Sequence, residues 1–109
     1  MQEKLFGDIA KGKTEELQQY INAGKNITIK YQNGWSLLHS SAQHDNHETA
    51  TIILKYAGPN FLQDVLLAKA QHDLTALHVA ARYGHNKTVK AILENSGTYL
   101  KDVILATAN

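Results

Sequence analysis

Residues 36–42 read Ser-Leu-Leu-His-Ser-Ser-Ala, and residues 75–81 read Thr-Ala-Leu-His-Val-Ala-Ala. The two stretches lie 39 positions apart, and the alignment continues without a gap to Gly58 and Gly97. The identical pairs are Leu38/Leu77, His39/His78, Ala42/Ala81, Thr49/Thr88, Ile53/Ile92, Leu54/Leu93 and Gly58/Gly97. This agreement within one ungapped block indicates an internal repeat, and a repeat of this length determines the architecture.

Partial copies of the unit lie on either side of these two. The helix-like stretch 15–23 ends at Gly24, just as both later units end in glycine. A glycine just past a helix takes the left-handed conformation without a Cβ clash, so all three glycines predict helix ends. Residues 99–106 copy residues 61–68 at an offset of 38, so the chain begins a further unit there.

Each unit contains two short helical patterns. Ser36 or Thr75 opens the first helix, where its hydroxyl oxygen can accept a hydrogen bond from a free backbone N–H. The apolar residues at helical spacing are Leu38, Ala42, Leu77, Ala80 and Ala81 in the first helices, and Ala50, Ile53, Leu54, Val89, Ile92 and Leu93 in the second. Because one helix pair cannot bury its apolar stripe alone, the pattern predicts stacked pairs, which form a solenoid.

The third unit carries a family signature. Residues 75–85 read Thr-Ala-Leu-His-Val-Ala-Ala-Arg-Tyr-Gly-His, which resembles the ankyrin pattern T-P-L-H-x-A-A-x-x-G-H with Ala76 in place of proline. The second unit is a weaker copy, with Leu37 at the proline position and Asp45 at the glycine position. Residues 33–35, Asn-Gly-Trp, fall where ankyrin repeats place their hairpin tip.

The resemblance implies an all-α ankyrin-repeat solenoid in a single domain, residues 1–109. It divides the chain into a capping repeat (1–29), a second repeat (30–68) and a third repeat with the start of another (69–106).

One connection departs from the family pattern. The stretch from Gly58 to His78 is five residues longer than the stretch from Gly24 to His39, and its residues 61–70 are mostly apolar and free of proline. We therefore expect an added helical turn before the next hairpin. Phe61 and Tyr99, which start the two copies of this segment, are expected in the core.

The C-terminal stretch Val103-Ile104-Leu105 is not followed by a further helix pair. Solenoids need polar terminal caps for solubility. The pattern therefore predicts either a piece of a longer protein or a tail that folds back. It also predicts self-association through this uncapped end, by burial of these three residues.

Composition excludes several classes of protein. Eleven Lys and Arg residues against ten Asp and Glu leave a net charge of +1, which provides no basic field for nucleic acid. No apolar run approaches the roughly 20 residues that span a bilayer, and the N-terminus lacks the apolar stretch of a signal peptide. We expect a cytoplasmic protein without membrane insertion, and delivery into a host cell stays open because bacteria deliver ankyrin proteins into hosts.

The six histidines suggest a metal site, but their positions favour structural roles. His39 and His78 lie at the ankyrin signature position, where the resemblance implies that the imidazole bonds to neighbouring backbone and holds the hairpin against the helices. His85 matches the family's Gly-His turn and is likewise expected to be structural. His44 and His47 can share a helix face, but a zinc site needs three or four ligands. We predict no metal and no cofactor.

Catalysis is also disfavoured. The chain has no cysteine, no glycine-rich phosphate loop, no HExxH motif and no GxSxG motif. Ser40 and Ser41 follow His39, but they occupy first-helix positions where small residues let helices pack closely. The sequence predicts no catalytic residues and no enzyme.

Protein binding is the remaining function, and the resemblance identifies where it would occur. Ankyrin repeats commonly bind proteins with hairpin tips and the exposed face of the first helices. The corresponding residues are Gln32, Asn33, Trp35, Gln43, His44, Gln71, His72, Leu74, Arg82 and Tyr83, with Lys11 as the nearest equivalent in the first repeat. Trp, Tyr and Arg are enriched among binding hot spots. For Trp35, packing over the next hairpin is the competing interpretation.

Two alternatives to a free-standing binding module stay open. The chain could serve as a scaffold or substrate-recognition segment of a longer enzyme or secreted effector. The sequence predicts a protein partner without identifying it, because groove residues differ from one ankyrin protein to the next.

Overall fold

The computed structural model describes Gly7, Gly12 and residues 14–107. The helices in this part of the chain are α1 (Thr14–Asn22), α2 (Leu37–Gln43), α3 (His47–Leu67), α4 (Ala76–Arg82), α5 (Asn86–Glu94) and α6 (Leu100–Thr107). Short 3-10 turns cover Gln32–Gly34, Gln71–Asp73 and Gly97–Tyr99. Lys11 lies outside the described residues. Pairing between extended segments is limited, in the described part, to two isolated bridges, so the all-α prediction is confirmed.

The first helix of each full repeat begins with a reciprocal cap. The Ser36 hydroxyl accepts a hydrogen bond from the His39 backbone N–H (3.2 Å), and His39 Nδ1 accepts one from the Ser36 N–H (3.2 Å). Thr75 and His78 repeat this pair of bonds at 3.3 and 3.1 Å. These bonds satisfy backbone donors that a helix start leaves free, and they confirm the predicted caps.

The connections between repeats form tight hairpins. Tyr31 N–H donates to Trp35 O (2.7 Å) across the first hairpin, and Ala70 N–H donates to Leu74 O (2.8 Å) across the second. Asn33 lies in the left-handed region at the first tip (φ 62°), which confirms the predicted position of that tip. A Cβ added at Gly34 would lie 3.1 Å from a backbone oxygen of the second hairpin, so the two hairpins approach closely.

The second helix of the second repeat continues into the added segment. The backbone of Gly58 leaves the helical region (φ 59°, ψ −172°), as a helix end requires, but helix resumes beyond it and α3 runs to Leu67. The expected helical turn before the hairpin is therefore confirmed. The expectation that Phe61 lies in the core is wrong, because its side chain is 47% exposed at the start of this added segment. Tyr99 is partly buried and packs against the core, as expected.

One continuous apolar core joins the repeats. It includes Leu17 of α1, Leu38 and Ile53 of the second repeat, and Leu77 and Ile92 of the third, all between 0% and 7% exposed. No single helix pair encloses these side chains, because residues from adjacent repeats complete the cover. The predicted solenoid is confirmed.

Polar bonds also join the second and third repeats. His85 Nδ1 lies 2.8 Å from Ala42 O, which confirms a structural role for His85. The Thr88 hydroxyl donates to the Asp45 carboxylate at 2.9 Å. Asp45 stands where the ankyrin pattern has glycine, and it keeps the left-handed conformation of that position (φ 54°).

The C-terminal helix α6 packs back on α3 and α4 through Val103, which is 1% exposed. The prediction that self-association buries all three residues of the uncapped end therefore needs correction, since Val103 already belongs to the core. Ile104 and Leu105 remain 50% and 57% exposed.

Candidate functional site

A cavity of about 320 Å³ lies between the two hairpins and the end of α2. Its lining residues are Tyr31, Gln32, Asn33, Trp35, Gln43, Ala70, Gln71, His72 and Leu74. We call this cavity the tip groove. Seven of the ten residues predicted to bind a partner line it. The prediction missed Tyr31 and Ala70, which occupy equivalent positions 39 residues apart and could have been found by extending each tip by one residue.

Trp35 forms a wall between the tip groove and the core. Its side chain is partly buried and packs against the core, and its ring lies 5.1 Å from the His39 imidazole at an angle of 36°. The same residue lines the tip groove together with Leu74 of the next hairpin. Trp35 therefore both packs and contributes apolar surface to the groove.

His39 holds the second hairpin in place beneath this surface. Because its Nδ1 accepts from the Ser36 N–H, its Nε2 carries the hydrogen and donates to Leu74 O at 2.7 Å. His39 is fully buried, and burial is the main reason that its pKa lies below the ordinary value of 6.5. A neutral imidazole in this bonding pattern is structural, as the sequence predicted for His39.

His78 makes the corresponding cap but lacks the corresponding bond between repeats. Its Nδ1 bonds to Thr75, whereas its Nε2 makes no hydrogen bond with the described residues. The side chain is partly exposed, in contrast to buried His39. The cap confirms the local part of the structural role predicted for His78. The predicted bond from His78 to a neighbouring hairpin is not made within the described residues.

The other three predicted binding residues lie outside the tip groove. Arg82 ends α4 and occupies the position equivalent to Gln43, one repeat further along. Tyr83 follows it, is 55% exposed, and stacks on His85 with ring centroids 5.7 Å apart. His44 is exposed at the end of α2. These side chains extend the first-helix face beyond the tip groove rather than lining it.

Other candidate chemistry is accounted for by packing. Ser40 and Ser41 are 4% and 0% exposed, and the Ser41 hydroxyl bonds to Leu37 O (3.2 Å) and Thr49 Oγ1 (3.0 Å). The predicted packing role of these serines is confirmed. Within the residues that the structure describes, no group of three or more His, Asp or Glu side chains could hold a metal ion.

Comparison with known proteins agrees with this fold. A family model described as ankyrin repeats (3 copies) matches residues 6–103. The chain belongs to the ankyrin repeat family. Ankyrin repeats are protein-interaction modules, and the tip groove and the first-helix face lie on a domain of this type.

Two relatives illustrate the similarity. Ankyrin repeat domain-containing protein SOWAHD of Homo sapiens is 29% identical over 86 residues, which cover 77% of this chain and 27% of that protein. Ankyrin repeat and SOCS box protein 3 is 25% identical in Homo sapiens and 24% identical in Bos taurus, over 76% of this chain and 15% of each relative. This ankyrin chain therefore spans about a quarter or less of the length of these curated relatives. In its described part, no helix is long and apolar enough to cross a membrane.

Proposed function

We propose that this ankyrin chain is non-catalytic and binds a protein partner through the tip groove and the adjoining first-helix face. The observation that carries the proposal is the convergence of seven tip and helix residues on one cavity of about 320 Å³. Hydrogen bonds hold the walls of that cavity in place before any partner arrives.

The lining suits a polypeptide ligand. Gln32, Asn33, Gln43 and Gln71 offer amide donors and acceptors, and Trp35 provides an apolar aromatic surface. A short segment with an apolar side chain and exposed main-chain groups would satisfy both kinds of surface. Because the hairpins are already ordered, binding costs little conformational entropy, and a few anchors can supply most of the affinity.

The end of α4 extends this surface. Arg82 and Tyr83 are exposed one repeat beyond Gln43, so a partner that fills the tip groove could also contact them. Arg and Tyr are frequent hot-spot residues, and loss of a hot spot costs about 2 kcal/mol or more of binding free energy.

The proposal is tested with a partner first captured by affinity pull-down with the intact protein. Two double variants are then compared by calorimetry: Gln43→Ala with Gln71→Ala in the tip groove, and Arg82→Ala with Tyr83→Ala at the end of α4. Each should weaken binding at least about tenfold with unchanged helicity by circular dichroism. Replacement of the exposed α5 residues Lys87 and Lys90 by alanine is the matched control. Unchanged affinity in both the tip-groove variant and the α4 variant would remove the proposed surface.

Self-association through the C-terminal end is a second candidate, and one contrast favours it. Leu66 of the second repeat is 1% exposed, whereas Ile104, its counterpart at the offset of 38, is 50% exposed. A second copy that covered Ile104 and Leu105 would bury this surface. Sedimentation equilibrium at high concentration should show a dimer that Ile104→Glu abolishes, and a monomer at every concentration would exclude it.

The alternative role as a recognition segment of a longer protein has support from the relatives. The printed name of one relative combines ankyrin repeats with a SOCS box. We propose by analogy that the tip groove binds a target protein on which a further domain of a longer enzyme or effector acts. We also propose that the protein is located in the cytoplasm. Sequencing the coding region on both sides of these 109 codons and imaging the tagged protein would test both points.

A further inference from the structure

The longer connection creates an asymmetry in the solenoid. Residues 61–67 form the added helical segment of α3, and α6, which copies this segment, packs against α3 and α4. On the side facing the first repeat, the shorter connection through residues 25–30 contains no helix. The space between this shorter connection and the added segment is a cavity of about 720 Å³, which we call the side cavity.

The side cavity is separate from the tip groove, because no residue lines both. Its apolar lining includes Ile27, Leu38 and Val65, which are 9%, 1% and 5% exposed and belong to the core. Leu67 and Ala68 continue this apolar surface along the end of α3. A volume of this size lies within the range of about 300 to 1,000 Å³ that is typical of small-molecule sites.

Positively charged residues outnumber negatively charged ones in the lining of the side cavity. Lys30 and Lys69, which occupy equivalent positions in successive hairpins, both line it, and Asp64 is the single acidic residue in its lining. None of these three side chains has a hydrogen bond or an ion pair with another described residue. The remaining polar groups are neutral hydroxyls and an amide. Two unpaired ammonium groups above an apolar floor favour a ligand with one anionic group.

The positive charge of Lys30 also affects a buried group of the domain. After burial, the positive charge of Lys30 is a further cause that lowers the pKa of the His39 imidazole. Lys30 is itself exposed where it lines the side cavity, so its ammonium group is accessible to an anion bound there.

We propose that the side cavity binds a small amphipathic anion, whose apolar body contacts Ile27, Leu38 and Val65 and whose carboxylate or phosphate head lies beside Lys30 and Lys69. This ligand site is independent of the partner-binding surface. Pockets of this kind combine a mainly apolar lining with a few polar groups that fix the orientation of the ligand.

The test is an NMR titration of the intact protein with octanoate, octyl phosphate and octanol, which share the chain and differ in the head group. Both anions should shift the resonances of Ile27, Leu38, Val65 and Leu67 with at least about fivefold higher affinity than octanol, since an ammonium partner adds roughly 1 kcal/mol or more. The Trp35 indole resonance should not move. Octanoate against octyl phosphate then tells which head group is preferred.

Two variants localise the anionic contact. Lys30→Gln with Lys69→Gln should reduce octanoate affinity to that of octanol, and Lys87→Gln with Lys90→Gln on α5 is the matched control of equal charge. Equal affinities for octanoate and octanol, an unaffected Lys30/Lys69 variant, shifts confined to the tip groove, or no shifts at millimolar concentration would each overturn the proposal. If only a short acidic peptide shifts these resonances, the site takes polypeptide and the small-molecule assignment is wrong.

Discussion

His39 and His78 provide a matched pair for measuring the bond that joins two repeats. Both imidazoles cap their own helix through Nδ1, but only His39 also donates through Nε2 to Leu74 O of the next hairpin. His39 is fully buried and His78 is partly exposed. His39→Ala and His78→Ala therefore remove the same local cap and differ in the contact between repeats.

The expected magnitudes follow from these contacts. In His78→Ala, the Thr75 N–H loses its partner in a partly exposed site, which should cost about 1 to 2 kcal/mol of unfolding free energy. His39→Ala removes an equivalent bond in a buried site, removes the bond to Leu74, and leaves a cavity, so the expected cost is about 3 to 5 kcal/mol. Leu74 O still accepts from the Ala70 N–H at 2.8 Å, which keeps the cost at the lower end of this range. The difference of roughly 2 kcal/mol estimates the contribution of the contact between repeats.

The assay is urea denaturation followed both by far-ultraviolet circular dichroism and by fluorescence of Trp35, whose ring packs on His39. The two signals should give the same midpoint if the stack unfolds in one transition. His39→Leu serves as an additional variant, because it restores most of the volume without the hydrogen bonds. Equal destabilisation by His39→Ala and His78→Ala would refute the reasoning, since the bond between repeats would then contribute nothing measurable.

Three further predictions test other features of the stack. Because burial lowers the pKa of His39 in the folded state, the imidazole takes up a proton in the unfolded chain at a higher pH than in the folded protein. The free energy of unfolding should therefore fall as the pH drops below about 6.5 and level off below the folded-state pKa. Urea titrations at several pH values should show this pH dependence, and His39→Ala should lack it. Gly34→Ala should cost about 1 to 2 kcal/mol more than Gly24→Ala in the same assay, since both have φ +76° but only Gly34 would place its Cβ 3.1 Å from a backbone oxygen; equal losses would contradict the close approach of the hairpins. Asp45→Ala should lower the free energy of unfolding by about 1 to 3 kcal/mol, because it leaves the buried Thr88 hydroxyl without its acceptor. Asp45→Asn keeps an acceptor oxygen and tolerates positive φ, so it should lower that free energy by less than about 1 kcal/mol.

The local signals in the sequence predicted much of this structure correctly. Ser36 and Thr75 each precede a histidine by three residues, and that spacing brings a hydroxyl and an imidazole to the start of one helix. The glycines at the helix ends have positive φ, as predicted from the absence of a Cβ. These features depend on neighbours within one turn of the chain, so a single repeat contains all the information that specifies them.

The candidate site was predicted only in part. Position within the repeat identified the residues of the tip groove, because tip residues recur at a fixed place in each unit. It did not separate them from Arg82, Tyr83 and His44, which lie along the same face but outside the cavity. That division depends on the distance between two hairpins, which is set by the close approach at Gly34 and by the bond from His39 to Leu74.

The five extra residues before the second hairpin were visible in the sequence, whereas the side cavity was not. A cavity is defined by what lies on both of its sides, and here one side belongs to a connection that is more than 30 residues away in the chain. The exposed position of Phe61 has the same origin, since an aromatic residue is buried only where another segment covers it.

By itself, the sequence determined the repeat, the helix starts and ends, and the stacking of helix pairs, because apolar stripes at helical spacing must be covered by a neighbour. Only the tertiary structure decided which side chains are covered. Leu66 and Ile104 are apolar residues at equivalent positions, yet one is 1% exposed and the other 50%. The physical reason is that burial belongs to a pair of surfaces, and the second surface comes from a different part of the chain.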